Sequence, residues 1–148
     1  MINIYYSSIY FKLIAEGLKW VIERYLKTLN IDLTNLEINI KNSITKSESK
    51  SKNIKWIILG LQNAPIIPTG KFIVWNFEQF EVDGLDFDQD FWNKMKLADQ
   101  IWDYSLENIK WLKSNKNLDA SHLPLGWMGQ MKIPTPINAW SERKNTFA

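Results

Sequence analysis

Two stretches of this chain constrain its fold more than any others. Ile73-Val74-Trp75 runs apolar and then breaks into Asn76-Phe77-Glu78-Gln79-Phe80. Ile101-Trp102 breaks the same way into Asp103-Tyr104-Ser105-Leu106-Glu107-Asn108. A strand buried on both faces reads as a continuous apolar run, and parallel sheets bind ligands beyond the carboxyl ends of their strands. An abrupt polar tip on an apolar run is the pattern of such a strand end. Ser121-His122-Leu123-Pro124-Leu125-Gly126-Trp127 supplies a third case. Three such tips predict one shared site.

The rest of the chain alternates strand and helix patterns. Ile2–Tyr6 predicts a first strand. Leu13, Ile14, Leu18, Val21, Ile22, Tyr25, Leu26 and Leu29 follow at helical spacing, with Lys12, Glu16, Lys19, Glu23 and Lys27 on other faces. Leu36–Ile40, Ile54–Leu59, Lys71–Trp75, Gln100–Trp102 and Ser121–Leu123 predict five more strands. Phe91, Met95 and Ala98 mark a second helix, with Asp86, Asp88 and Asp90 at its start, where negative charge suits the helix dipole. Ser105 is placed to cap a third helix carrying Leu106, Ile109 and Leu112. The expected fold is α/β: a mostly parallel, Rossmann-like sheet of about six strands flanked by helices, in a single domain. Residues 1–127 form this domain, and 128–148 are a C-terminal extension without a clear period. Residues 41–53, rich in serine and lysine, are expected to be a solvated, mobile loop.

Bulk properties narrow the function classes. At 148 residues the chain can bury a full core. A net charge of +2 argues against a dedicated nucleic-acid surface. The absence of cysteine excludes disulfides and thiolate metal sites. No stretch is apolar enough to span a membrane, and no signal peptide is visible, so cytoplasmic residence is expected. Eight Trp, five Tyr and seven Phe are mostly core, with one or two left for stacking on a ring.

Several residues carry chemical promise beside plainer roles. Glu78 and Gln79 form a carboxylate–amide pair suited to sugar or ribose hydroxyls, or merely a solvated turn. Asp103, Tyr104, Ser105 and Asn108 lie on a strand-to-helix turn, where the Ser105 hydroxyl is most simply a cap. The backbone N–H groups there favour an anion, but Asp103 opposes a phosphate. His122 is the sole histidine, so a transition-metal site is not expected. Ser105, His122 and Asp103 make a triad only on paper, since no Gly-x-Ser-x-Gly elbow is present. Asp86-Phe87-Asp88-Gln89-Asp90 fails as an EF-hand because Phe91 and Leu97 stand where Gly and Glu are needed. Ser7 and Ser8 follow the first strand where dinucleotide-binding folds place glycines, and no Gly-x-Gly-x-x-Gly is present.

The ordered set Asn76-Phe77-Glu78-Gln79, Trp102-Asp103-Tyr104-Ser105 with Asn108, and His122-Leu123-Pro124-Leu125-Gly126-Trp127 resembles the N-terminal half of two-domain, GT-B type glycosyltransferases. Residues 73–127 carry the likeness, and the first 60 residues share only its pattern. In that family the N-terminal half holds the acceptor and a second Rossmann-like half grips the nucleotide-sugar. The sequence reaches Ala148 soon after the last of these segments, so the resemblance implies a half-domain without its donor half. The expectation is a stand-alone protein that binds a sugar, nucleotide or nucleotide-sugar type ligand. The alternative is an acceptor-side half working with a separate donor-binding chain. Ser7, Ser8, Asn76, Glu78, Gln79, Asp103, Tyr104, Ser105, Asn108, His122 and Trp127 are the expected ligand-binding residues, with no catalytic residue, metal or cofactor assigned. A homo-oligomer or partner chain is expected, through Trp127, Met128, Met131 and Trp140.

Overall fold

Alternation along the strands builds the sheet in the computed structural model, which describes residues 1–80 and 87–126. The strands are β1 (Ile2–Tyr6), β2 (Ile38–Lys41), β3 (Lys55–Leu59), β4 (Phe72–Asn76), β5 (Gln100–Asp103) and β6 (Ser121–His122). Their spatial order is β2-β1-β3-β4-β5-β6, and every neighbouring pair is parallel. Register pairs Tyr5 with Ile58, Ile58 with Val74 and Val74 with Ile101. Successive side chains therefore feed two cores. Tyr5, Trp56, Ile58, Phe72, Val74 and Ile101 face one; Ile4, Ile57, Leu59 and Trp75 face the other.

The helices divide between these faces. Helix α1 (Ile9–Thr28) packs Ala15 and Leu18 onto the Ile4–Trp75 face. Helices α3 (Gln89–Lys96) and α4 (Leu106–Lys116) bury Phe91, Trp92, Met95 and Leu112 on the opposite face. More of the packed aromatic side chains lie on this face than on the other. Phe80 packs against Phe87, Phe91, Trp92 and Trp111 with ring centroids 5.4–6.5 Å apart. Lys116 lies over the Trp92 ring, 4.4 Å from its centroid.

The predicted α/β class and parallel sheet are those of the structure. Boundaries differ in places. The second strand starts at Ile38 rather than Leu36, and the fourth runs to Asn76. Within residues 41–53, Lys41 ends β2, and Lys46–Ser49 form a helical turn, α2. A capping box makes that turn: Thr45 Oγ1 accepts from the Glu48 N–H, and Glu48 accepts from the Thr45 N–H. Ile44 and Ser49 are buried, and Ser49 O accepts from both Thr69 N and Oγ1. Asp88 is the N-cap of α3, as its charge and position predicted, whereas Asp86 lies outside the described residues. The apolar arc of α1 is wider than the sheet covers. Leu18 is buried and Ile14 and Ile22 are half-buried, but Leu13, Val21, Tyr25 and Leu29 remain exposed. Among the described residues, no helix is long and apolar enough to cross a membrane.

Candidate functional site

Strand β1 has β2 on one side and β3 on the other. The chain leaves β1 for β2 on one side and leaves β3 for β4 on the other, and such a switch point favours a crevice beyond the strand ends. Its floor is built at close quarters. The Ser7 N–H donates to Leu59 O at 3.1 Å. Gly60 then takes the left-handed conformation, with φ of +78°. A Cβ on Gly60 would sit 1.9 Å from Ser7 Oγ and 2.9 Å from the Phe11 ring. Backbone and packing both demand glycine.

The left-handed turn sends the chain into a 3-10 turn, Leu61–Asn63, which brings Gln62 against Glu78. Gln62 Nε2 donates to Glu78 Oε1. One residue on, Gln79 Nε2 donates to the Tyr104 hydroxyl. His122 Nε2 lies 3.1 Å from Tyr104 O. Phe77 stacks on the Tyr104 ring at 6.2 Å and meets Phe11 of α1 at 5.4 Å. A connected row of polar groups and rings thus runs from Ser7 past Gly60, Gln62, Glu78, Gln79 and Tyr104 to His122. Ser7 Oγ is buried without a hydrogen-bond partner among the described residues. Ser8 caps α1 with no side-chain hydrogen bond, and the first turn of α1 holds no acidic residue.

Asn76, Asp103 and Asn108 play a different part. They are 4%, 0% and 1% exposed. Asp103 Oδ2 accepts from Asn76 Nδ2 at 2.8 Å, and Oδ1 accepts from the Ser105 N–H at 2.8 Å. Asn108 Nδ2 lies 3.2 Å from both oxygens. The two amides also grip the turn after β4. Glu78 O accepts from Asn76 Nδ2 at 2.9 Å and from Asn108 Nδ2 at 2.6 Å. The Glu78 N–H donates to Asn76 Oδ1, and the Phe80 N–H to Asn108 Oδ1, each at 3.3 Å. Burial pushes the Asp103 carboxyl above the ordinary aspartate range. Hydrogen bonds from Ser105, Asn76 and Asn108, and the field of His122, pull partly the other way.

The expected ligand-binding residues therefore fall into two groups. Ser7, Ser8, Glu78, Gln79, Tyr104 and His122 are half-buried or exposed at the carboxyl ends of the strands. Asn76, Asp103 and Asn108 are interior, bonded to one another and to backbone, and Ser105 caps α4 by accepting from the Asn108 N–H at 3.3 Å. Trp127, like Met128, Met131 and Trp140, lies outside the described residues. Gln62 joins the row without having been singled out. Its signal was the one used elsewhere: it follows the apolar run Trp56–Leu59 past a glycine. A depression of about 530 Å³ lies at the opposite edge of the sheet, among Ile2, Lys55, Ile57, Lys71, Ile73 and Gln100. That end holds the strand starts, and its polar side chains are Lys55, Lys71, Gln100 and Asp99, the last of which accepts from the Phe72 N–H at 2.8 Å.

No protein-family model, curated protein or solved structure matches the chain.

Proposed function

We propose that the chain binds a small sugar, nucleotide or nucleotide-sugar type molecule in the crevice at the carboxyl ends of its strands, without turning it over. One observation carries this reading: the neighbouring residues Glu78 and Gln79, just beyond β4, pair with Gln62 beyond β3 and with Tyr104 beyond β5. Amide, carboxylate and phenol groups so placed offer both donors and acceptors to ring hydroxyls. The Tyr104 and Phe77 rings offer a stacking surface beside them. The row pairs no nucleophile with a general base, which favours binding over transfer. In this proposal the fold is the acceptor-side half of a GT-B type glycosyltransferase, used as a binding module. Self-association, or a partner chain, belongs to the same proposal. The exposed Leu13, Val21 and Tyr25 of α1 support it.

Calorimetry against a panel of monosaccharides, nucleotides and nucleotide-sugars tests the reading, with a transfer assay on the same samples. Binding of at least one member without transfer is expected. Transfer by the chain alone would overturn the binding-module reading. Transfer only after adding a donor-binding chain would favour the half-enzyme alternative.

A further inference from the structure

We infer that Asn76, Asp103 and Asn108 are positioning residues, a charge-dependent latch that holds the turn 77–80 closed and so sets Glu78 and Gln79 in the crevice. The inference rests on the ligand-binding reading and adds a regulation to it. The geometry is a closed set of bonds. Asn76 and Asn108 each donate to Asp103 and to Glu78 O. Each uses its single side-chain oxygen on the turn, at the Glu78 and Phe80 N–H groups. The third group on the carboxylate, the Ser105 N–H, is also a donor. Asp103 is thus surrounded by donors and sees no acceptor among these partners.

An ionised carboxylate fits this surround, because it only accepts. A protonated one does not. Its O–H needs an acceptor, and the two amides that hold it, Asn76 and Asn108, each carry an oxygen that could turn to it. Turning either amide over to supply one takes the acceptor away from Glu78 or Phe80. Protonation therefore releases one end of the turn. Burial moves this event to a higher pH than for an ordinary aspartate. Among the described residues, few other charges bear on it. His122 of β6 acts through space, Glu78 turns its carboxylate to Gln62, and Asn76, Ser105 and Asn108 bring no charge.

Amide hydrogen exchange on the full chain tests the latch directly. The wild-type Glu78 and Phe80 amides should lose about tenfold or more of their protection between about pH 7 and about pH 4, after correction for intrinsic exchange, while Ile58 and Val74 in the core strands keep theirs. Asp103→Asn should show the low protection at every pH, and His122→Gln, which removes a field that favours the ionised carboxylate, should move the loss of protection to higher pH. Panel binding by wild type should weaken over the same range, and binding by Asp103→Asn should be weak and flat. Thermal melts establish that each variant folds. If Asp103→Asn unfolds, Asn108→Ser replaces it, with reduced Phe80 protection expected. Flat wild-type protection across the range, or a folded Asp103→Asn or Asn108→Ser with undiminished protection, overturns the latch. If wild type binds no panel member, the binding reading fails alone, and the exchange profile still decides the latch.

Discussion

Glu78 and Gly60 show how differently single residues serve this site. Glu78 is half-buried, and among the described residues its carboxylate is tied only to Gln62. Glu78→Ala should weaken ligand binding by about 1–3 kcal/mol, the usual cost of losing a hydrogen-bonding partner at such a site. Its melting temperature should stay near wild type; a large fall would make Glu78 a structural residue. Gly60 is the reverse case. Gly60→Ala must place a Cβ at positive φ and drive it into Ser7 Oγ. The left-handed backbone alone costs about 1–2 kcal/mol. Denaturant unfolding should show at least that loss, and unchanged stability would mean the turn has another conformation.

Helix termini carry the next scale. Ser105 closes the first turn of α4 and lies beside the latch. Ser105→Ala should lower stability by about 0.5–2 kcal/mol by chemical denaturation, as for other caps. Turn α2 depends on charge instead. The Glu48 carboxyl is held down to about 2, first by the hydrogen bond from Lys41 and then by those from the Thr45 backbone and side chain. A depressed carboxyl gives stability that is fully present above its unfolded value and lost as pH falls through its folded value. The α2 contribution should therefore persist at neutral pH and fade from about pH 4.5 towards about pH 2. Glu48→Gln should remove that part of the acid dependence of unfolding; an unchanged acid profile would count against it.

The strands were legible in the sequence because each side of a two-faced sheet demands apolar residues. Ile57-Ile58-Leu59 and Val74-Trp75 can hardly be read otherwise. The α2 turn was not legible, since its composition is that of a loop and only the Thr45–Glu48 spacing marks it. The division of the site was hidden for a related reason. Asp103 and Asn108 are polar letters like Glu78, and nothing in the letters says that six hydrogen bonds turn them inward. Burial of a polar group is decided by partners from other elements. Gln62 was obscured in the same way, because its partner Glu78 comes from the turn after β4.

For the molecule as a whole, the parallel order β2-β1-β3-β4-β5-β6 brings the carboxyl-terminal tips of all the strands to one end. The other end carries the depression among Ile2, Lys55, Lys71 and Gln100. A ligand must choose between them, and backbone amide shifts in a titration with the panel show which it takes. Perturbations clustered at Ser7, Gly60, Gln62, Glu78, Gln79, Tyr104 and His122 are the predicted result. Perturbations clustered at Lys55, Ile57, Lys71, Ile73 and Gln100, with the strand tips unmoved, would contradict it.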